Sequence, residues 1–388
     1  MHKIITFKAR SFHSLYIHWP FCPYRCHFCP FVALAGQDQY MQVYHDALIQ
    51  EINTFIKHYE QNKQRIDTVF FGGGTPSTYP NDLLLDTIAI LKESFDFHEK
   101  TEVTIEVNPG TVNEEQIDLW QKAGINRLSV GVQSLKDGAL HSLNRLQSKH
   151  DVEQLMLYAP NYINNISVDL IMGIPDVSFE EWQEYLTKIV QWPIKHISVY
   201  FLTVHEDTRL YFNVASGKVQ LPSDDFMVDC YFWTQAFLAS CGFEQYELSN
   251  FARKNFFSRH NSVYWDRKPY KAFGLGACSF DGVKRMQNEK NLIQYIQKAT
   301  LPDGPIAICE ELTDQQIRLE KVMLGLRRSQ GALWDDIVVG LDASKVCILQ
   351  SEVDTLVNEG LMTCDKRVLR LTQKGLVVEN QIIARLGL

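Results

Sequence analysis

Short runs of apolar, β-branched and aromatic residues punctuate the first half of the chain. They are LYIHWPF from Leu15, TVFFGG from Thr68, VTIEVNP from Val103, RLSVGVQ from Arg127, ISVDLIMGIP from Ile166 and HISVYFLT from His196. Each reads as a strand, and each is followed by a stretch with helical spacing. In the first such stretch Met41, Tyr44, Leu48, Ile52 and Phe55 recur at steps of three and four, with Asp38 placed to cap them. Further helices are predicted over 81–95, 113–122, 151–158 and 179–191. Strands alternating with helices pair in parallel through right-handed crossovers. Six such units build an α/β fold: a partial (βα)6 barrel of the TIM type or a flat doubly wound sheet, which periodicity alone does not separate. In a barrel the chemistry belongs at the C-terminal ends of the strands.

After about Thr208 the alternation weakens. From about Leu312 it gives way to LEKVMLGLRR, VDTLVNEGLM and the strand-like RVLRLTQKG, which together read as a winged-helix-like module. The predicted organisation is a core barrel over 11–210, an extension over 211–305 and the C-terminal module over 306–388.

The chain has 388 residues, 45% of them hydrophobic, and a net charge of -8. That balance gives no electrostatic case for nucleic-acid binding. Beyond Glu310 acidic residues slightly outnumber basic ones, so a packing or lid role is expected of the winged module. No run of about 18 apolar residues is present and the basic N-terminal stretch lacks a signal-like apolar segment, so a cytoplasmic protein is expected. Nine cysteines, an odd number, argue against a disulfide framework. Cys230, Cys241, Cys278, Cys309, Cys347 and Cys364 are scattered and read as small buried hydrophobes.

The other three are clustered. Cys22, Cys26 and Cys29 stand in a C-x3-C-x2-C segment directly after the first strand. Thiolates are the usual ligands of iron–sulfur clusters, and three of them around a 4Fe–4S cluster leave one iron open to a ligand. A zinc site completed by His27 or His18 is the alternative. Phe28 is placed to pack on a flat ring beside the cluster. Gly72, Gly73 and Gly74, followed by Thr75, end the second strand; they do not form a phosphate loop, but the Gly74 amide and Thr75 hydroxyl can meet a carboxylate or amine. Glu106 ends the third strand, where a carboxylate can bind a ribose diol or simply cap. Gln133 ends the fourth and Arg145 lies just beyond. Asp169 is embedded in apolar sequence, and a buried acid is usually paired or ligand-bound.

The cysteine signature, with an aromatic residue before its third cysteine, resembles that of the radical S-adenosylmethionine enzymes. There the open iron chelates S-adenosylmethionine, and an electron from the cluster cleaves its sulfonium to a 5′-deoxyadenosyl radical. The ordered set YIHWPFC, GGGTPS, IEVNPG, RLSVGVQS, DLIMGIP and HNSVYW resembles, over nearly the whole chain, the anaerobic coproporphyrinogen oxidase group and its HemW-type haem-chaperone relatives. The resemblance implies that Tyr16, Phe28, Gly73 and Glu106 contact the cluster-bound S-adenosylmethionine. It implies that Gly74, Thr75, Gln133, Arg145 and Asp169 contact a second molecule of it. Phe31 stands where the dehydrogenase branch carries a further cysteine, the motif begins near residue 16 without a long extension, and HNSVYW is typical of the chaperone branch. His260 is then the candidate haem residue, with Tyr264 and Trp265 over a porphyrin face, or else an ordinary packed histidine. His205 next to Glu206, where relatives often have glutamate, and Ala272, where they commonly have glycine, depart from the pattern.

The expectation is a haem chaperone holding a 4Fe–4S cluster, S-adenosylmethionine and haem, with a haem-accepting protein and an electron donor as partners. The resemblance also implies peripheral membrane association and a monomer or haem-dependent dimer. The competing readings are an oxygen-independent coproporphyrinogen III oxidase, another radical enzyme that opens or methylates a tetrapyrrole, and a zinc-binding regulatory protein. Whether the chain is an enzyme stays open at this point.

Overall fold

In the computed structural model, which describes residues 11–58 and 63–387, every one of the six runs is a strand. They are β1 (Ser14–Trp19), β2 (Arg65–Gly73), β3 (Asp96–Val107), β4 (Arg127–Gln133), β5 (Asn165–Met172) and β6 (His196–Phe201). They pair in chain order and all in parallel. The intervening helices are α1 (Met41–His58), α2 (Asn81–Ser94), α3 (Glu114–Ala123), α4 (Lys149–Tyr158) and α5 (Phe179–Ile189). Asn113 caps α3 and Ser178 caps α5, each in a reciprocal box with the residue three positions on. Asp38 does not cap α1; it lies within a 3-10 turn, Asp38–Tyr40, that runs straight into the helix.

Alternation along the strands decides what fills the molecule. Leu15 and Ile17 of β1, Val69 and Phe71 of β2, Leu128 and Val130 of β4, and Val168 and Leu170 of β5 join the buried core between sheet and helices. Side chains one step away point to the other face. Tyr16, Phe70, Glu106, Arg127, Asp169 and Ser198, one from each strand in turn, line a single inner chamber of about 210 Å³. Side chains from all six strands can converge on so small a space only if the sheet curls, so the partial barrel holds and the flat sheet does not.

The sheet continues beyond those six strands. β7 (Glu244–Gln245) and β8 (Asn250–Ala252) add antiparallel strands beside β6, and β9 (Lys271–Phe273) pairs in parallel with β1. The order is β9-β1-β2-β3-β4-β5-β6-β8-β7. Towards the C-terminus, helices Asp314–Leu326 and Ala343–Asn358 pack with an antiparallel sheet of Ala332–Leu333, Val368–Leu371 and Met362–Asp365. These elements share a second core that includes Val322, Trp334, Val353 and Leu369. Among the described residues no helix is long and apolar enough to cross a membrane. Of the scattered cysteines, Cys230 alone is buried; Cys278, Cys309, Cys347 and Cys364 are exposed, against the expectation of small core residues. They fall on short edge strands and a surface helix, where no apolar layer covers them.

A buried carboxylate ties the late strand β9 to the first helix. Glu51 of α1 accepts hydrogen bonds from the Gly274 amide at 2.9 Å, the Asn288 amide group at 2.8 Å and the Tyr295 hydroxyl at 2.7 Å. The Lys271 ammonium lies 3.8 Å away. Burial pushes the Glu51 pKa up, while the Lys271 charge and these donors pull it back. Glu51→Ala leaves that ammonium buried without its counter-charge. Unfolding in urea is expected to show a loss of about 3 kcal/mol; a loss under about 1 kcal/mol would show that solvent reaches the network.

Candidate functional site

The cysteine loop leaves the end of β1 and is bound to the end of β2 by backbone. Gly74 N donates to Trp19 O at 2.7 Å and Thr75 N to Phe21 O at 2.9 Å. A Cβ on Gly74 would stand 2.5 Å from Pro20 O, and one on Gly73 would stand 2.7 Å from the His18 ring. Gly73 also has φ +119, a conformation open to glycine. The glycines are therefore demanded by the close approach of the two strand ends. The Thr75 hydroxyl donates to Cys22 Sγ at 3.2 Å. The Gly74 amide and Thr75 hydroxyl, expected to face a ligand, are thus spent on holding the loop.

Arg25 folds the loop on itself by donating to Ala33 O and Cys29 O. Across the mouth, His27 N donates to Leu143 O and Leu210 N donates to His27 O, joining the cysteine loop to the segments beyond β4 and β6. Cys22, Cys26 and Cys29 line one cavity of about 420 Å³ together with Phe28, Gly73, Gly74, Thr75, Glu106, Gln133, Arg145 and Asp169. Burial raises the Cys22 thiol to about 11, against the pull of Thr75, and also raises Cys29. Both thiols are protonated until a metal binds, so loading must release protons.

Several polar groups in this cavity are oriented by neighbours. Gly73 N donates to Glu106 Oε2 at 3.2 Å. Burial, reinforced by the nearby Asp169 charge, pushes the Glu106 carboxyl up to about 8. Ser129 donates to Asp169 Oδ2 at 2.9 Å, while Asp169 Oδ1 is buried without a partner. Burial raises Asp169 too, against the pull of the nearby Ser198 and Ser129 hydroxyls and the charge of Arg127. Arg145 donates to Gly131 O at 2.8 Å and lies 3.8 Å from Cys26 Sγ. Gln133 has φ 64 at the end of β4, which turns it out of the strand path.

This set suits a cluster with S-adenosylmethionine beside it. Three thiols can ligate iron, an unpartnered carboxylate oxygen and Glu106 can accept from hydroxyls or an ammonium, and Arg145 can meet a carboxylate. It suits zinc less well. His18 is engaged at both nitrogens, with Val32 O at 2.9 Å and Tyr16 OH at 3.2 Å, and His27 Nδ1 is bonded to Ser142 O. Among the described residues no three His, Cys, Asp or Glu side chains converge on a single-ion site.

Tyr16 and His260 lie outside this cavity. Tyr16 lines the inner chamber below the cavity, stacked on Phe70 at 6.1 Å. His260, in the short helix Arg259–Trp265, plugs that chamber from the far side. It is 1% exposed, stacks on Phe70 at 5.1 Å, and has both ring nitrogens engaged, with Thr68 Oγ1 at 2.8 Å and Tyr264 OH at 2.9 Å. Burial, with the Arg127 charge second, lowers its pKa to about 3. Ligating haem would require those bonds to break, and Tyr264 is its hydrogen-bond partner here. Glu106, Ser129, Asp169 and Tyr200 line both spaces and form the wall between them. Ser129 and Tyr200 were not anticipated; their inward positions two steps along from Arg127 and Ser198 are the signal that names them.

A family model described as the radical SAM superfamily matches residues 16–189. A protein named Heme chaperone HemW from Bacillus subtilis is 31% identical over 95% of this chain and 97% of its own. The protein of that name from Lactococcus lactis is 28% identical over 96% of each. Radical S-adenosyl methionine domain-containing protein 1 of Mus musculus is 30% identical over 96% of this chain and 87% of its own. Among solved structures, coproporphyrinogen III oxidase (HemN) from Escherichia coli superposes with a TM-score of 0.82 at 24% identity, covering 96% of this chain and 89% of that one.

Proposed function

The chain belongs to the radical SAM superfamily, and from that premise we propose that it is a haem chaperone, binding haem and delivering it to haem proteins. The superfamily implies a 4Fe–4S cluster and S-adenosylmethionine. The observation that carries the haem reading is the full-length likeness to proteins named haem chaperones, 31% identity over 95% of this chain and 97% of the Bacillus subtilis one. The likeness to coproporphyrinogen III oxidase, at 24% identity, carries the fold.

In this reading Cys22, Cys26 and Cys29 hold the cluster. Phe28, Gly73 and Glu106 bind the S-adenosylmethionine chelated to it, with Tyr16 supporting Glu106 from the chamber below. When bound, the pair supplies one-electron chemistry at a sulfonium. Glu106, fixed by Gly73 N, accepts from a ribose hydroxyl, and Asp169 Oδ1 accepts from a second polar hydrogen that its burial otherwise leaves unmet. Arg145 meets a carboxylate, and Gln133 closes the same side. Whether one or two molecules bind follows from the stoichiometry of binding to these last residues.

The test is a haem titration of anaerobically purified, cluster-loaded protein beside an assay with coproporphyrinogen and a reductant. Saturable haem binding without turnover is the expected result. Turnover to protoporphyrinogen would make the chain an oxygen-independent coproporphyrinogen III oxidase instead, with Phe31 no obstacle.

A further inference from the structure

The sealed position of His260 leaves the haem seat to be found elsewhere, and the cavity mouth offers one. Resting on the chaperone reading, we infer that haem sits over the mouth of the cysteine cavity, with His205 as its axial ligand and Phe31 against the porphyrin.

His205 lines the cavity, is exposed, and its imidazole has no hydrogen-bond partner among the described residues. Its backbone is fixed, since its carbonyl accepts from both Thr208 N at 3.0 Å and Thr208 Oγ1 at 2.6 Å, and Leu202 N donates to Met172 O. The result is a free imidazole on an anchored turn. Two other histidines of the cysteine segment are committed: His18 between Tyr16 and Val32, and His27 to Ser142. Imidazole is a common axial ligand of haem iron.

Phe31 supplies the second requirement. It lines the same cavity and is 65% exposed. One exposed aromatic ring is ordinary on a protein surface. Beside an unpartnered imidazole and the walls formed by Tyr200, Phe201 and Leu202, it makes an apolar rim with one metal-ligating group, which is the composition a planar iron porphyrin needs. The cavity, about 420 Å³, must also admit S-adenosylmethionine, so the porphyrin rests on the rim and not within. A seat at the rim keeps the outer haem face open to an acceptor.

The experiment titrates ferric haem, and separately metal-free protoporphyrin, into full-length wild-type, His205→Gly and Phe31→Ala proteins, following the Soret band and spin state. His205→Gly is expected to bind haem roughly tenfold or more weakly and to lose the imidazole-ligated spectrum, with free imidazole restoring it. Metal-free porphyrin should bind wild type and His205→Gly alike, because only iron senses the imidazole. Phe31→Ala should weaken both pigments. If wild type itself shows no saturable binding, the chaperone reading fails. If wild type binds and His205→Gly is unchanged in spectrum and affinity, the reading stands and this seat is wrong. Equal loss of haem and metal-free porphyrin in His205→Gly, without imidazole rescue, also overturns the ligation.

Discussion

Cys26→Ala is expected to give a folded protein that no longer retains a 4Fe–4S cluster. Cys26 is the variant to make. Cys22 is buried and bonded to Thr75, so its loss would also loosen the loop. The Cys26 sulfur is partly exposed and its nearest polar contact is Arg145 at 3.8 Å. Removing it should leave the folding stability within about 0.5 kcal/mol of wild type, as for surface substitutions. Iron and sulfide content after reconstitution, and the visible charge-transfer absorbance, should fall by more than tenfold, since even residues behind a metal ligand commonly carry a loss of about 10–100-fold. Cleavage of S-adenosylmethionine should fall with them. Full cluster content in this variant would show that the three-thiol reading is wrong.

Glu106→Gln should move stability and binding in opposite directions. Burial raises the Glu106 pKa from an ordinary 4.5 to about 8. Between those values the native fold keeps a proton that the unfolded chain has released. Stability contributed by the neutral carboxyl is therefore whole at acid pH and lost as pH rises towards 8. A glutamine has no proton to lose, so the ligand-free variant should gain on wild type as pH rises from 5 to 8. The full shift corresponds to about 1.36 kcal/mol per pH unit. Glu106 lines an open cavity, so part of this is lost to screening, and a gain of about 2 kcal/mol at pH 8 is the expected scale. The same change replaces one carboxyl oxygen by an amide donor, and losing that acceptor should weaken S-adenosylmethionine binding by about tenfold. Denaturant unfolding at several pH values and equilibrium binding read the two effects separately. A gain independent of pH would mean that Glu106 is not held protonated.

The strands that build the barrel were legible because each is long enough to show its pattern. Arg127, Ser129, Gly131 and Gln133 alternate with Leu128, Val130 and Val132, and the structure turns the first set inward and the second into the core. Short β-branched runs with polar alternates also carried Glu106 and Asp169 into the cavity. The added strands β7, β8 and β9 are two or three residues long, too short for a period to appear, and their partners are distant in sequence. The cavity residues could be named from resemblance, but depth could not. Tyr16 and Glu106 both face inward, with β2 between their strands, yet Tyr16 lines only the chamber below the thiols. His260 could not be placed at all without knowing that its helix closes the chamber against Thr68 and Phe70.

The pairing of β9 with β1 has a temporal side. Leu15 is flanked by Val69 on one edge and by Lys271 on the other, and Glu51 and Tyr44 of α1 are tied to Gly274 and Leu275. During synthesis the ribosome releases the cysteine loop early, but the edge that steadies its supporting strand emerges only after most of the chain. Contacts so remote in sequence form late. The nascent protein therefore carries its three clustered thiols on an unfinished platform, and their native arrangement is complete only once the later part of the polypeptide has been made.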